Sequence, residues 1–127
     1  WWRDARRDGK RRLFHPRYRY AGTCDAFGWW DGHYAVLDWC CGDTWESAKD
    51  VQLAAYAEAL RAVPPAEWPD FQPAKDRIVR LGVRLMKSGA IGQPTPYADP
   101  QDFPRFLIAL AATLEQERRG IRRKKVA

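Results

Sequence analysis

Along the chain, the spacing of hydrophobic and polar positions switches between the two-residue period of a strand and the 3.6-residue period of a helix. YRYAGTCDAFGWW and HYAVLDWCC are rich in aromatic and β-branched residues and are separated by Asp31-Gly32, the strongest short hairpin signal. They predict two antiparallel strands. SAKDVQLAAYAEALRA then turns helical, with Ser47 expected as N-cap and Pro64-Pro65 as the stop. In this helix Lys49, Gln52, Leu53, Tyr56 and Leu60 fall on one face, and Asp50, Glu58 and Arg61 on the other. PPAEWPDFQP is a proline-rich loop whose Trp68 and Phe71 are expected to tuck into the core.

Further on, Val79, Leu81, Val83 and Leu85 alternate with Arg80, Gly82 and Arg84, the pattern of a half-buried strand with its arginines on the polar face. A second strand is expected around residues 91–97. Asp99-Pro100 reads as an N-cap and first helical position. Phe103, Phe106, Leu107, Leu110 and Leu114 then mark the apolar face of a last helix, assigned to core packing and ended near Gly120. The expected fold is α/β: a small mixed sheet led by the hairpin and flanked by the two helices.

Composition narrows the class. The 127 residues suit one domain spanning 1–127, with 120–127 a basic tail, and 46% apolar with 30% charged residues argues against disorder as a whole. No apolar run approaches the roughly 18 residues of a membrane helix, and WWRDARRDGKRR lacks the apolar stretch of a signal peptide, so the expectation is an intracellular protein with no membrane partner. The chain begins with Trp rather than Met, which fits a fragment or a trimmed product with elements upstream. Cys24, Cys40 and Cys41 form neither a disulfide framework nor a CxxC zinc pair, so reduced thiols are expected. The net charge of +6 gathers before the first strand, including Arg17 and Arg19, and again at the C-terminus. Such clusters attract polyanions, nucleic acid first; solvated tails are the competing reading, and a site between them would decide.

A two-residue turn at Asp31-Gly32 pairs Trp30 with His33, Phe27 with Val36 and, counting outward, Asp25 with Asp38. Like charges held directly opposite destabilise a sheet. Two things can compensate: a shared proton that raises one pKa, or a bound cation, for which Mg²⁺ with one or two carboxylates and several waters is suited. The alternative is a shifted register or an acid turned to solvent. Lys49 and Gln52 lie on the buried face of the next helix, where they are costly unless they meet partners. Outward snorkelling of Lys49 is the competing reading.

At this point a resemblance can be stated. The sequence YAGTCDAFGWWDGHYAVLDWCCGDTWESAKDVQLAAYAEAL resembles the PD-(D/E)XK nuclease superfamily, in particular its RecB-like and phage exonuclease branch. In that pattern a Gly-x-x-Asp strand precedes a hairpin, then an acid-x-Lys strand end, then a helix bearing Gln-x-x-x-Tyr. Gly22 to Asp25, Asp38-Trp39-Cys40 and Gln52 to Tyr56 stand at those places, so the likeness covers about residues 18–61.

The resemblance implies a restriction-endonuclease-like core and Mg²⁺ or Mn²⁺ bound by Asp25, Asp38 and the carbonyl of Trp39. It also implies that Gln52 and Tyr56 position the metal site or the nucleic-acid strand. The departure is Cys40, which stands where the family has lysine. As a ligand it would favour softer ions such as Zn²⁺, but a small buried thiol is the commoner role. Two readings follow. In one, the positive charge has moved to Lys49 and the protein hydrolyses DNA phosphodiesters, by the resemblance as an exonuclease, in bacterial or phage recombination or repair, in the cytoplasm of such a cell. In the other, the protein is a catalytically silent module that binds nucleic acid or a partner protein of such a complex. Arg80 and Arg84 are candidate phosphate contacts beside Arg17 and Arg19. His15 and His33 are expected at surface or turn positions, His15 being the nearest candidate for an upstream site residue of the family.

Overall fold

A computed structural model describes residues 2–3, 12–41 and 48–120 of the chain, without the side chains of 3, 40 and 41. Its elements are β1 (Trp2–Arg3), β2 (Leu13–His15), β3 (Tyr20–Gly22), β4 (Ala26–Trp30), β5 (His33–Cys41), α1 (Lys49–Ala62), β6 (Ile78–Leu85), β7 (Thr95–Tyr97) and α2 (Asp102–Arg118). The fold is α/β with a five-stranded mixed sheet in the order β1-β4-β5-β6-β7, beside a separate β2-β3 pair. The hairpin forms at Asp31-Gly32, both with positive φ (49° and 77°), as a tight turn between twisted strands requires. Trp30 pairs with His33 and Phe27 with Val36, the register counted from the turn.

The long first strand expected from YRYAGTCDAFGWW is in fact two. Tyr20–Gly22 pairs with β2, whereas Ala26–Trp30 joins the main sheet, and the chain bends between them at 23–25. The β4–β5 ladder therefore ends at Ala26 and Leu37, and Asp25 lies just beyond it. At the N-terminus, Trp2–Arg3 is an edge strand on β4 rather than a solvated tail. The Ser47 cap and the 121–127 part of the basic tail lie outside the described residues. Ala48 occupies the N-cap position of α1 and makes no side-chain cap bond; within the first turn Asp50 Oδ1 accepts the Val51 N–H at 2.8 Å.

The helix α1 carries the chain from β5 to β6, which run parallel, and its buried residues Leu53, Ala57, Ala59 and Leu60 pack in one core with Phe27 and Val36 of the sheet. Alanines at these positions keep the helix close, and burying Leu53 and Leu60 contributes about 1.5–3 kcal/mol each. Trp68 and Phe71 do enter this core: Trp68 meets Phe27 edge-on at 5.6 Å and Phe71 meets Tyr34 at 5.0 Å. The opposite face buries Ala35, Leu37, Leu81 and Val83 with Trp30 and Trp39 against them. Both faces of β6 are thus covered, as is usual for a parallel strand. Its alternation does not mark a wet side, and Arg80 is engaged with Asp102 and two backbone carbonyls rather than solvated on an open face.

The start of α2 also shifts from expectation. Asp99-Pro100 forms a turn, with Asp99 Oδ1 accepting the Gln101 N–H at 2.9 Å, and the helix begins at Asp102. Its apolar stripe packs only at the N-terminal end, where Phe106 meets Tyr20 at 4.7 Å and Phe103 meets Tyr18 at 5.7 Å. Leu114 is 52% exposed, so the stripe is not core throughout. Amphipathic spacing fixes which face is apolar, but not how far a neighbour extends along it. No helix among the described residues is long and apolar enough to cross a membrane.

Candidate metal centre

The end of β5, the bend before β4 and the first turn of α1 converge on one spot. Asp38 is buried on β5 and Lys49 is buried at the first residue of α1. Lys49 Nζ donates to Asp38 Oδ2 at 2.6 Å and to the Trp39 carbonyl at 3.2 Å. Asp25 Oδ2 accepts the Trp39 N–H at 2.7 Å, which fixes its carboxylate beside the strand end in place of a ladder bond. The two acids are therefore not a ladder pair, although their carboxyl groups lie within hydrogen-bonding reach of one another. Trp39 holds the group together through its backbone, giving its N–H to one acid and its C=O to the lysine.

The parallel neighbour also shapes the site. Asp38 lies level with Gly82 on β6, so the position paired with it on that strand carries no side chain. Burial and the hydrogen bond with Asp25 push the Asp38 carboxyl up, to about 7, while the Lys49 hydrogen bond pulls it down. Repulsion between the acids is thus met by a shared hydrogen bond and by an ammonium from the helix together.

The donors that converge are hard oxygens: two carboxylates and a backbone carbonyl. That set suits a divalent cation that keeps several waters, such as Mg²⁺ or Mn²⁺, and does not suit a closed soft-metal site. Among the described residues there is no group of three or more His, Cys, Asp or Glu side chains that could hold an ion. The Cys40 side chain, and with it the thiolate option, lies outside the described residues.

Gln52 and Tyr56 stand one and two turns along α1. Gln52 Nε2 donates to the Tyr56 hydroxyl at 2.9 Å, and the hydroxyl is raised above its ordinary pKa mainly by burial, with Asp38 and Asp25 adding to the shift. Tyr56 thus senses both acids. Its ring packs against Gly22, where a Cβ would meet Tyr56 Cε1 at 3.0 Å. A larger residue there would make the ring give by a few tenths of an ångström, a role that the sequence reading did not assign to Gly22. The signal was present, because glycine in a strand often marks close approach of another group. Gln52 and Tyr56 also border an open groove of about 480 Å³ between β3, α1 and α2, walled by Leu13, Phe106 and Leu110.

The arginines separate. Arg80 bonds Asp102 Oδ2 at 2.8 Å, the Asp50 carbonyl at 3.2 Å and the Asp99 carbonyl at 3.0 Å, tying β6 to both helices. Arg17 and Arg19 are exposed on the β2–β3 turn, Arg17 over the Tyr18 ring at 5.3 Å, and no ion pair joins them to the two acids. Arg84 lies level with residue 40, on the strand face and at the sheet end of Asp38.

His15 is neither a surface nor a turn residue. It is buried on β2 among Tyr18, Tyr20 and Phe103, and desolvation lowers its pKa. An apolar strand position, between Leu13 and the aromatic run, outweighed its neighbouring proline. His33 is exposed beside the hairpin turn. Comparison with protein-family models gives no match, and no curated protein matches the chain.

Proposed function

We propose that the chain is a metal-dependent nuclease of the PD-(D/E)XK kind, hydrolysing DNA phosphodiester bonds, with Lys49 in place of the lysine that Cys40 replaces. The single observation that carries the reading is the convergence of Asp25, Asp38, the Trp39 carbonyl and the Lys49 ammonium at one strand end. The antiparallel hairpin followed by a helical crossover into a parallel strand is the arrangement we read as a restriction-endonuclease-like core.

Asp25, Asp38 and the Trp39 carbonyl would hold Mg²⁺ or Mn²⁺, which when bound supplies charge to the phosphate and makes a water more acidic. The chain's own groups do the rest. The Trp39 N–H orients the Asp25 carboxylate, so that oxygen need not reorganise during reaction. Lys49 brings positive charge to the phosphate from the helix rather than from the strand. Gln52 fixes the Tyr56 hydroxyl by donating to its oxygen, which leaves the hydroxyl proton for a phosphate oxygen or a water. Arg84 supplies a further phosphate contact on the same face; Arg17 and Arg19 act farther along the strand.

The test is an assay on linear and circular DNA with Mg²⁺, Mn²⁺ or chelator. The parent cuts with metal and not with chelator, and Asp38→Ala and Lys49→Ala each lose at least about 100-fold in rate. An inert parent whose DNA binding survives chelation, and that begins to cut as Cys40→Lys, would identify a silent module instead. Full activity in Lys49→Ala sinks the relocated lysine but not the nuclease.

A further inference from the structure

We propose that Lys49 holds the place of the divalent cation: its ammonium occupies the Asp38 and Trp39 oxygens in the metal-free protein and gives them up when the ion arrives. The inference rests on the metal-site part of the reading above, not on DNA hydrolysis. Its ground is that Lys49 Nζ bonds two of the oxygens that the ion would take, Asp38 Oδ2 at 2.6 Å and the Trp39 carbonyl at 3.2 Å. An ammonium and a divalent cation drawn to the same two oxygens repel one another at that distance, so each favours the departure of the other. Both side chains of the ion pair are nearly sealed, 7% and 6% exposed, so water is a poor substitute when either leaves.

The geometry gives each state a reason to exist. Without an ion, Asp38 and Asp25 sit within hydrogen-bonding reach, and the ammonium offsets their repulsion. With an ion, that task passes to a doubly charged cation, and the lysine is released on a flexible four-carbon stem. Lys49 is the first residue of α1, so its stem leaves the end of the helix rather than the middle of a packed face. A released ammonium at that place is close to where a phosphate would approach the acids. One residue would then preserve the empty site and afterwards serve the loaded one.

This makes Lys49 a competitor of the metal, which is the opposite of what a merely supporting residue would be. Mn²⁺ binding to the parent chain and to Lys49→Met is measured by calorimetry, with melting temperature in chelator and in Mn²⁺ as a second readout. Lys49→Met is expected to melt lower than the parent in chelator, to regain most of that loss in Mn²⁺, and to bind Mn²⁺ roughly tenfold more tightly. Equal or weaker binding by Lys49→Met overturns the proposal, and so does the absence of Mn²⁺ binding to both proteins.

If Lys49→Met does not fold, the parent alone decides the matter by NMR of its lysine side chains. The Lys49 ammonium protons are expected to be protected from exchange in chelator and to lose that protection with saturating Mg²⁺. Protection that persists with Mg²⁺ bound means that ion and ammonium coexist, and the exchange idea fails. A parent that binds Mn²⁺ and releases Lys49 but cuts no DNA leaves this inference standing and removes the nuclease. A parent that cuts with Mn²⁺ while Lys49 keeps its contacts does the reverse.

Discussion

Two buried ion pairs tie the sheet to its helices, Arg80 with Asp102 and Lys49 with Asp38, and they are built to different ends. Arg80 spreads its planar donors over a carboxylate and two backbone carbonyls, and the side chains of that pair are 11% and 3% exposed. It is a knot among β6, α1 and α2, with fixed geometry and matched charge. Lys49 offers a single ammonium to a spot where two carboxyl groups meet, and Asp38 there is pushed up to about 7. A guanidinium suits the first task because its fork is rigid, and an ammonium suits the second because it can let go. Burial alone does not tell these two ion pairs apart. The local balance of acids against cations does.

The contrast can be broken, or sharpened, by experiment. The largest effect is expected from Arg80→Met, which leaves Asp102 only the 3.3 Å contact with the exposed Arg105 and costs about 3 kcal/mol in urea unfolding, with no recovery on adding Mn²⁺. Recovery there would mean that the two pairs are alike. Lys49→Met should cost less, roughly 2 kcal/mol in chelator, because Asp38 can answer the loss by keeping a proton.

Gly22→Ala should cost about 1 kcal/mol by pushing on the Tyr56 ring, while slowing any cutting without changing the Mn²⁺ affinity. An unchanged cutting rate in Gly22→Ala would remove Tyr56 from the functional group. The smallest effect is on pH dependence. Asp38 has its pKa raised from an ordinary 3.8 to about 7, so between those values the folded chain holds a proton that the unfolded chain releases. Stability in chelator should therefore fall as pH rises from about 4 to about 7, by a fraction of the ~1.4 kcal/mol per pH unit that one full proton gives. Asp38→Asn should flatten that slope, and an unchanged slope would place the proton elsewhere.

Much of this was legible in the chain because it depends on near neighbours. The Asp31-Gly32 turn fixes the β4–β5 register, and helical spacing puts Lys49, Gln52 and Tyr56 on one side of α1. Trp68 and Phe71 could be assigned to the core by size and apolarity alone. The misreadings share another cause. Arg80 looked solvent-facing because alternation along a strand tells its two faces apart but not what covers each. His15 looked exposed because the aromatic side chains that bury it include Phe103, 88 residues away in sequence.

Sequence by itself determined which residues are acidic, which strand turns back on which, and which helix face turns inward, since each follows from backbone geometry over a few residues. Tertiary structure decided that Asp25 leaves the ladder to take the Trp39 N–H, that Lys49 rather than Arg80 meets the acids, and that Gly22 makes room for Tyr56. Those outcomes depend on how helix, strand and bend approach one another in space. Close packing leaves each charged group only the partners that the approach brings within reach.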